Sequence, residues 1–225
     1  MESVPFGEQG IPVQYECDDF LVLDKPIGLA SIPERNPAAI SLLRLLSERR
    51  QRKFYVVHRL DKQVSGVIVF AKTPEFHRYL NLQFEHRRVL KTYLAVVHGR
   101  IIQGGRIDTP LRRFGSGRMA VDAAGKACIT EYEVLGHPPG ATFLQVRPLT
   151  GRKHQIRAHL FGIGHPIIGD PLYGDKLMQR AYLRMMLHAA SIEFRLPDGR
   201  LFAAQTPVPV GFAAGSDRPV HGAAY

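Results

Sequence analysis

The stretch HRLDKQVSG (58–66) places one carboxylate, Asp61, two residues after Arg59 and directly before Lys62, with apolar runs on both sides. A lone acid among cations has two explanations. It is either part of a solvated turn, or it is kept ionised by neighbouring positive charge so that it can act beside an anion. His58 and Ser65 flank Asp61 and invite a Ser/His/Asp hydrolase reading. That reading lacks the strained G-x-S-x-G elbow, and neighbouring strand positions point to opposite faces. His154, His159, His165 and His188 raise a zinc hypothesis. No HExxH or CxxC spacing accompanies them, so the expectation is no metal site.

Charge distribution narrows the class of partner. The chain carries a formal net charge of +10, but unevenly. Residues 1–50 hold 5 Lys/Arg against 8 Asp/Glu, residues 51–100 hold 10 against 3, and residues 147–184 hold 7 against 2. Two basic blocks far apart in sequence suit a polyphosphate chain if folding joins them in one cleft. Cys17 and Cys128 form neither a disulfide framework nor a metal pattern, which fits a reducing compartment. No apolar run approaches the roughly 20 residues that span a bilayer, and MESVPFGEQG has no leader character.

The elements that must position these residues read as mixed α and β. Strands are expected at 20–26, 54–60, 64–72, 91–100, 126–137 and 141–151, and again within LRMMLHAASIEFRLPD. A short helix with Ile40, Leu43 and Leu46 inward is expected before residue 50, and a second from Pro74 to about Glu85 behind a Thr73 cap. A third covers 154–164. RRFGSGRM (112–119) reads as an Arg-rich loop and PIIGDPLYGD as another. Without strict βα alternation, the fold class is α+β, with a mixed, largely antiparallel central sheet, flanking helices and loops, and a basic cleft. One domain over 1–225 is expected, with its core at about 18–212 and a flexible tail at about 213–225.

Three stretches taken together, HRLDKQVSG, KTYLAVVHG and LTGRKHQIRAHLFGIGHPIIGDPLYGD, resemble the RluA family of RNA pseudouridine synthases. The wording of that family is HRLDxxTSG, then a K-x-Y strand ending in Gly, then TGRxHQIRxHL…GHPIxGDxxYG. The resemblance runs from about Asp18 to Phe202, with the motifs in family order. It implies that Asp61 is a nucleophile, that Arg157 is its salt-bridge partner, and that Tyr93 stacks on the target base. It also implies that Arg59 fills the gap left when that base is flipped out. Lys91 and Arg152, with Lys153, are expected at phosphates, Leu160 beside the base, and His58 in the same substrate-binding set.

The chemistry fits these residue types on independent grounds. Converting uridine to pseudouridine breaks the bond from N1 to the ribose and remakes it from C5. A carboxylate serves as nucleophile or as electrostatic partner for charge developing at C1′, without metal or cofactor. A tyrosine offers a stacking face and a hydroxyl for the C5 proton. One departure stands out: Val64 occupies the position where the family wording has Thr, which removes a hydroxyl next to the turn. It is the one feature that supports an alternative, a non-catalytic RNA-binding protein or RNA chaperone on the same fold. The expected partner is RNA, a tRNA or rRNA stem-loop, in the cytoplasm, with no membrane, no obligate protein partner and no added S4-type module.

Overall fold

The computed structural model of the chain describes residues 10–34, 36, 39–115 and 117–212. In chain order its elements are β1 (Val13–Glu16), β2 (Phe20–Lys25), α1 (Leu42–Arg50), β3 (Tyr55–Val56), β4 (Ser65–Ala71), α2 (Pro74–Glu85), β5 (Leu90–His98) and β6 (Gly105–Asp108). There follow β7 (Leu111–Arg113), β8 (Met119–Val121), β9 (Ile129–Gly136), β10 (Ala141–Pro148), α3 (Gln155–Gly162), α4 (Lys176–Arg180), β11 (Leu187–Arg195) and β12 (Leu201–Gln205). The class is α+β with mostly antiparallel sheet. The segment at about 213–225, expected to be a flexible tail, lies outside the described residues.

Two compact units share the chain, and the boundary between them falls inside β11. The first comprises the residues up to Leu90 together with Ala189–Thr206. Its strands run β1-β2-β4-β11, with β3 also on β4 and β12 also on β11. β2 and β4 are almost wholly buried, as their near-continuous Val, Ile, Leu and Phe content requires. Phe20 stacks on Phe76 of α2 with ring centroids 4.7 Å apart, and Phe194 and Phe202 meet it edge-on. Gly66, second in β4, shows why glycine is needed there. Its φ is +112°, and a Cβ would lie 2.1 Å from the carbonyl oxygen of Ala189, so any side chain would collide with backbone.

The second unit comprises Lys91–His188 with the residues from Pro207 onward. Its strands run β5-β10-β9-β6, each pair antiparallel. α3 is buried on nearly all sides, from Gln155 through Leu160, as a helix enclosed by its own unit rather than laid on a surface. β7 and β8 form a separate two-stranded sheet.

Several expectations need correction. The 54–60 strand shrinks to Tyr55–Val56, and the rest runs without ladder pairing into a turn. In α1 the buried pair is Leu42 and Leu46, while Ile40 is 43 % exposed and precedes the Ser41 cap. The Arg-rich 112–119 segment is a hairpin rather than a loop, since β7 and β8 pair across it. α2 starts and ends as expected, with the Thr73 hydroxyl accepting from Phe76 N–H.

Candidate active site

In the first unit Asp61 opens a tight turn in which its carbonyl accepts from Val64 N–H at 3.0 Å. Turns lacking sheet partners are held only by what packs on them, and this one is held at several points. The hydroxyl of Ser31 donates to Leu60 C=O at 2.8 Å and accepts from Leu60 N–H at 3.0 Å, both buried. Gly28 N–H donates to Lys62 C=O at 2.8 Å. The Lys25 ammonium, 0 % exposed, donates to the carbonyls of Pro26 and Leu29 at 2.8 Å and of Lys62 at 3.4 Å. A buried ammonium donating to these carbonyls ties the 26–29 stretch to the turn.

His58 and Arg59 lie on the same segment. His58 Nε2 accepts from Val69 N–H at 3.0 Å, and its ring stacks on Phe84. The imidazole thus satisfies a strand N–H that a longer β3 would have paired, and its proton sits on Nδ1. Arg59 is exposed. Val64 is buried at 3 %, where a hydroxyl in its place would need a partner. The turn takes its order from Ser31, Gly28 and Lys25, not from a hydroxyl at residue 64. The departure from the family wording therefore does not count against a formed turn.

In the second unit, Tyr93 lies on β5 opposite Val146 of β10 and is half-buried. Burial pushes the Lys91 ammonium down to about 8. Arg152 is exposed just before α3, and its N–H is accepted by the Gln155 side-chain oxygen at 3.0 Å. That amide also accepts from the Thr150 hydroxyl and donates to Ile129 C=O and Thr130 Oγ1, so the TGR turn is fixed to α3. Leu160 is fully buried.

Arg157 is buried on α3, and its guanidinium forks onto Asp170, Nε to Oδ2 and Nη2 to Oδ1, each at 2.7 Å. Asp170 is 1 % exposed and also accepts from the N–H groups of Leu172 and Tyr173. Bidentate geometry fixes the guanidinium plane. The sequence reading assigned no role to Asp170, Tyr173, Lys25 or Ser31. The first two sit inside the quoted third motif, and the signal available was an acid in a glycine-flanked loop thirteen residues after a helical arginine. The histidines are partnered within the protein: His159 with Thr130 Oγ1 at 2.8 Å and Thr109 C=O at 3.0 Å, His165 with His98 C=O, and His154 with the Tyr173 hydroxyl.

The sequence pattern of the family described as RNA pseudouridylate synthase matches residues 19–161, well over half of the chain. The chain belongs to this family. It is an RNA pseudouridine synthase, an isomerase. Among similar proteins is a ribosomal large subunit pseudouridine synthase D of Pseudomonas aeruginosa, 37 % identical over 222 residues, covering 90 % of this chain and 69 % of that one. Its counterpart in Xanthomonas campestris is 39 % identical over 89 % of this chain and 67 % of its own. Among solved structures, human RNA pseudouridylate synthase domain containing 1 superposes on this synthase with a TM-score of 0.80 at 26 % identity, over 98 % of this chain and 94 % of that one. The matched span includes Asp61, Tyr93, Arg157 and Leu160, while Asp170 and Tyr173 fall beyond it. Among the described residues, no helix of the synthase is long and apolar enough to cross a membrane.

Proposed function

We propose that this synthase isomerises a specific uridine in structured RNA, a tRNA or rRNA stem-loop, with Asp61 as the nucleophile. The reading is supported by the turn itself: Asp61 stands between Leu60, bonded at both backbone groups by Ser31, and Lys62, whose carbonyl accepts from Gly28 and Lys25. Rigidity of that kind suits a group that must meet C1′ in one orientation. The bond from N1 to C1′ breaks, the base turns, and C5 bonds to C1′. The C5 hydrogen leaves as a proton and N1 gains one, so the change is an isomerisation.

Tyr93 is the stacking ring, with its hydroxyl available for the C5 proton. Arg157 is the cation the resemblance pairs with Asp61, its plane set by Asp170. Arg59 takes the place of the flipped base, Lys91 and Arg152 meet phosphates, and Leu160 supports the base. His58 acts by holding the segment that carries Arg59 and Asp61. The hairpin arginines Arg112, Arg113 and Arg118 contact the RNA target. The relatives named for the large ribosomal subunit favour rRNA over tRNA, and the cytoplasm as the site of action.

Tritium release from [5-³H]uridine-labelled RNA tests this reading, because forming pseudouridine expels the C5 hydrogen wherever the target lies. Release that persists at the wild-type rate in Asp61→Ala would sink the nucleophile assignment.

A further inference from the structure

Tyr173 has no part in the chemistry above, yet its hydroxyl, ring and backbone each meet a different group. It is 1 % exposed, in a cluster with Leu111, Cys128 and Ala158. Its hydroxyl accepts from Met119 N–H, at the start of β8, at 2.8 Å. The same oxygen lies 3.2 Å from His154 Nδ1. His154 precedes α3 in the left-handed region at φ 52°, a conformation that persists only when its surroundings hold it. Burial pushes the Tyr173 phenol above its ordinary range.

Two guanidinium groups approach the Tyr173 ring. The Arg157 Cζ is 5.1 Å from the ring centroid and the Arg118 Cζ is 5.0 Å. Arg118 belongs to the tip of the β7–β8 hairpin and also lies 5.5 Å from the Phe161 ring. A buried aromatic face attracts each cation, so one ring is shared between a hairpin arginine and the helix arginine. The Tyr173 backbone N–H additionally donates to Asp170, the carboxylate that forks Arg157. Hydroxyl, ring and backbone of one residue thus reach the hairpin, the start of α3, and both sides of the Arg157 environment.

We propose that Tyr173 is a positioning residue that couples RNA engagement by the β7–β8 hairpin to the orientation of Arg157. The proposal rests on the reading of Arg157 and the hairpin given above. When phosphate draws Arg118 away, the ring is left to Arg157 alone and one like charge is removed from its vicinity. The Met119 N–H bond transmits hairpin position to the same ring. Binding and alignment are then one event.

The test uses the full chain and bulk [5-³H]uridine RNA, with tritium release giving maximal rate and apparent KM, and filter binding giving affinity. Tyr173→Phe keeps the ring and removes the hairpin bond. It raises KM about fivefold, with a smaller loss of maximal rate. Tyr173→Leu removes the ring and lowers the maximal rate at least about tenfold. Arg118→Ala raises KM in the wild-type background, and that effect shrinks in the Tyr173→Leu background. Tyr173 variants that lose thermal midpoint and active fraction while KM stays fixed and the Arg118→Ala effect stays full-sized would mark Tyr173 as core packing and overturn the coupling. If Tyr173→Leu does not fold, Tyr173→Phe decides alone, and an unchanged KM overturns the proposal. Activity that survives Asp61→Ala strikes the nucleophile assignment instead, leaving the coupling to stand or fall on KM and affinity.

Discussion

Replacing Asp170 with Asn probes the firmest electrostatic contact in the second unit. The carboxylate accepts four bonds: two from Arg157 at 2.7 Å, one from Leu172 N–H at 2.9 Å and one from Tyr173 N–H at 3.2 Å. Asparagine is the same size and one oxygen can keep the backbone bonds and Arg157 Nη2. Its amide nitrogen then faces Arg157 Nε, donor against donor, at the former Oδ2 position. The guanidinium side chain is 4 % exposed and its partner 0 %, so little water is available to replace the lost charge. Breaking a buried pair by removing one member costs about 3–5 kcal/mol, and survival of the backbone bonds places the cost near about 3 kcal/mol. For a chain of this length that lowers the thermal midpoint by about 6–12 °C, read by circular dichroism, with urea unfolding as the companion measurement. The double variant Arg157→Met with Asp170→Asn removes the cation along with the fork it lost and recovers at least half of the loss. A single variant within about 2 °C of wild type, or a double variant less stable than the single, would refute the reasoning.

Three further outcomes are expected. Ser31→Ala strips partners from both the N–H and C=O of buried Leu60, costing about 2 kcal/mol; the maximal rate falls more than KM changes, and a loss of stability with the rate intact contradicts the role given to the turn. Burial brings the Lys91 ammonium to about 8, so filter-binding affinity for RNA declines as pH rises from 7 to 9 and the decline disappears in Lys91→Arg; an identical slope in that variant removes Lys91 from the phosphate contacts. Burial brings His188 to about 4, below the ordinary 6.5 of the unfolded chain. The unfolded state therefore binds the extra proton first, and stability present above pH 6.5 is lost as pH falls toward 4. The loss between pH 7 and pH 4.5 is about 2 kcal/mol, read as the urea midpoint at each, and His188→Gln flattens it.

Local patterning made much of this fold legible. Thr73, Pro74 and the apolar spacing behind them announce α2, and the alternating residues of β9 and β10 announce their hairpin. What failed were features decided by distant partners. FYVVHRL has the composition of a strand, but after Val56 a histidine ring, not a backbone, meets the neighbouring strand N–H. RRFGSGRM looked like a charged loop because the pairing of Arg112 with Ala120 across the tip leaves no mark in period-two spacing over three residues. The site divided the same way. Asp61, Tyr93 and Arg157 stand in recognisable wording, whereas Lys25 looks like any surface lysine until its burial against three carbonyls is seen. Asp170 and Tyr173 lie within the third motif and yet had no role, because spacing alone does not show that one forks Arg157 and the other meets a hairpin about fifty residues away.

The β7–β8 pair has a consequence for how this scaffold can vary. It is a sheet of its own among the described residues, bonded beyond itself at the bridge from Leu111 to Lys126, at Met119 to Tyr173 and at Gly117 to Lys153. The link between β7 and β8 ahead of Arg118 can be lengthened, shortened or exchanged without shifting the register of β5, β10, β9 and β6. The hairpin is therefore a graftable module, and transplanting the tip of a relative with a different RNA target is a route to redirecting the enzyme while its reactive turn stays as it is.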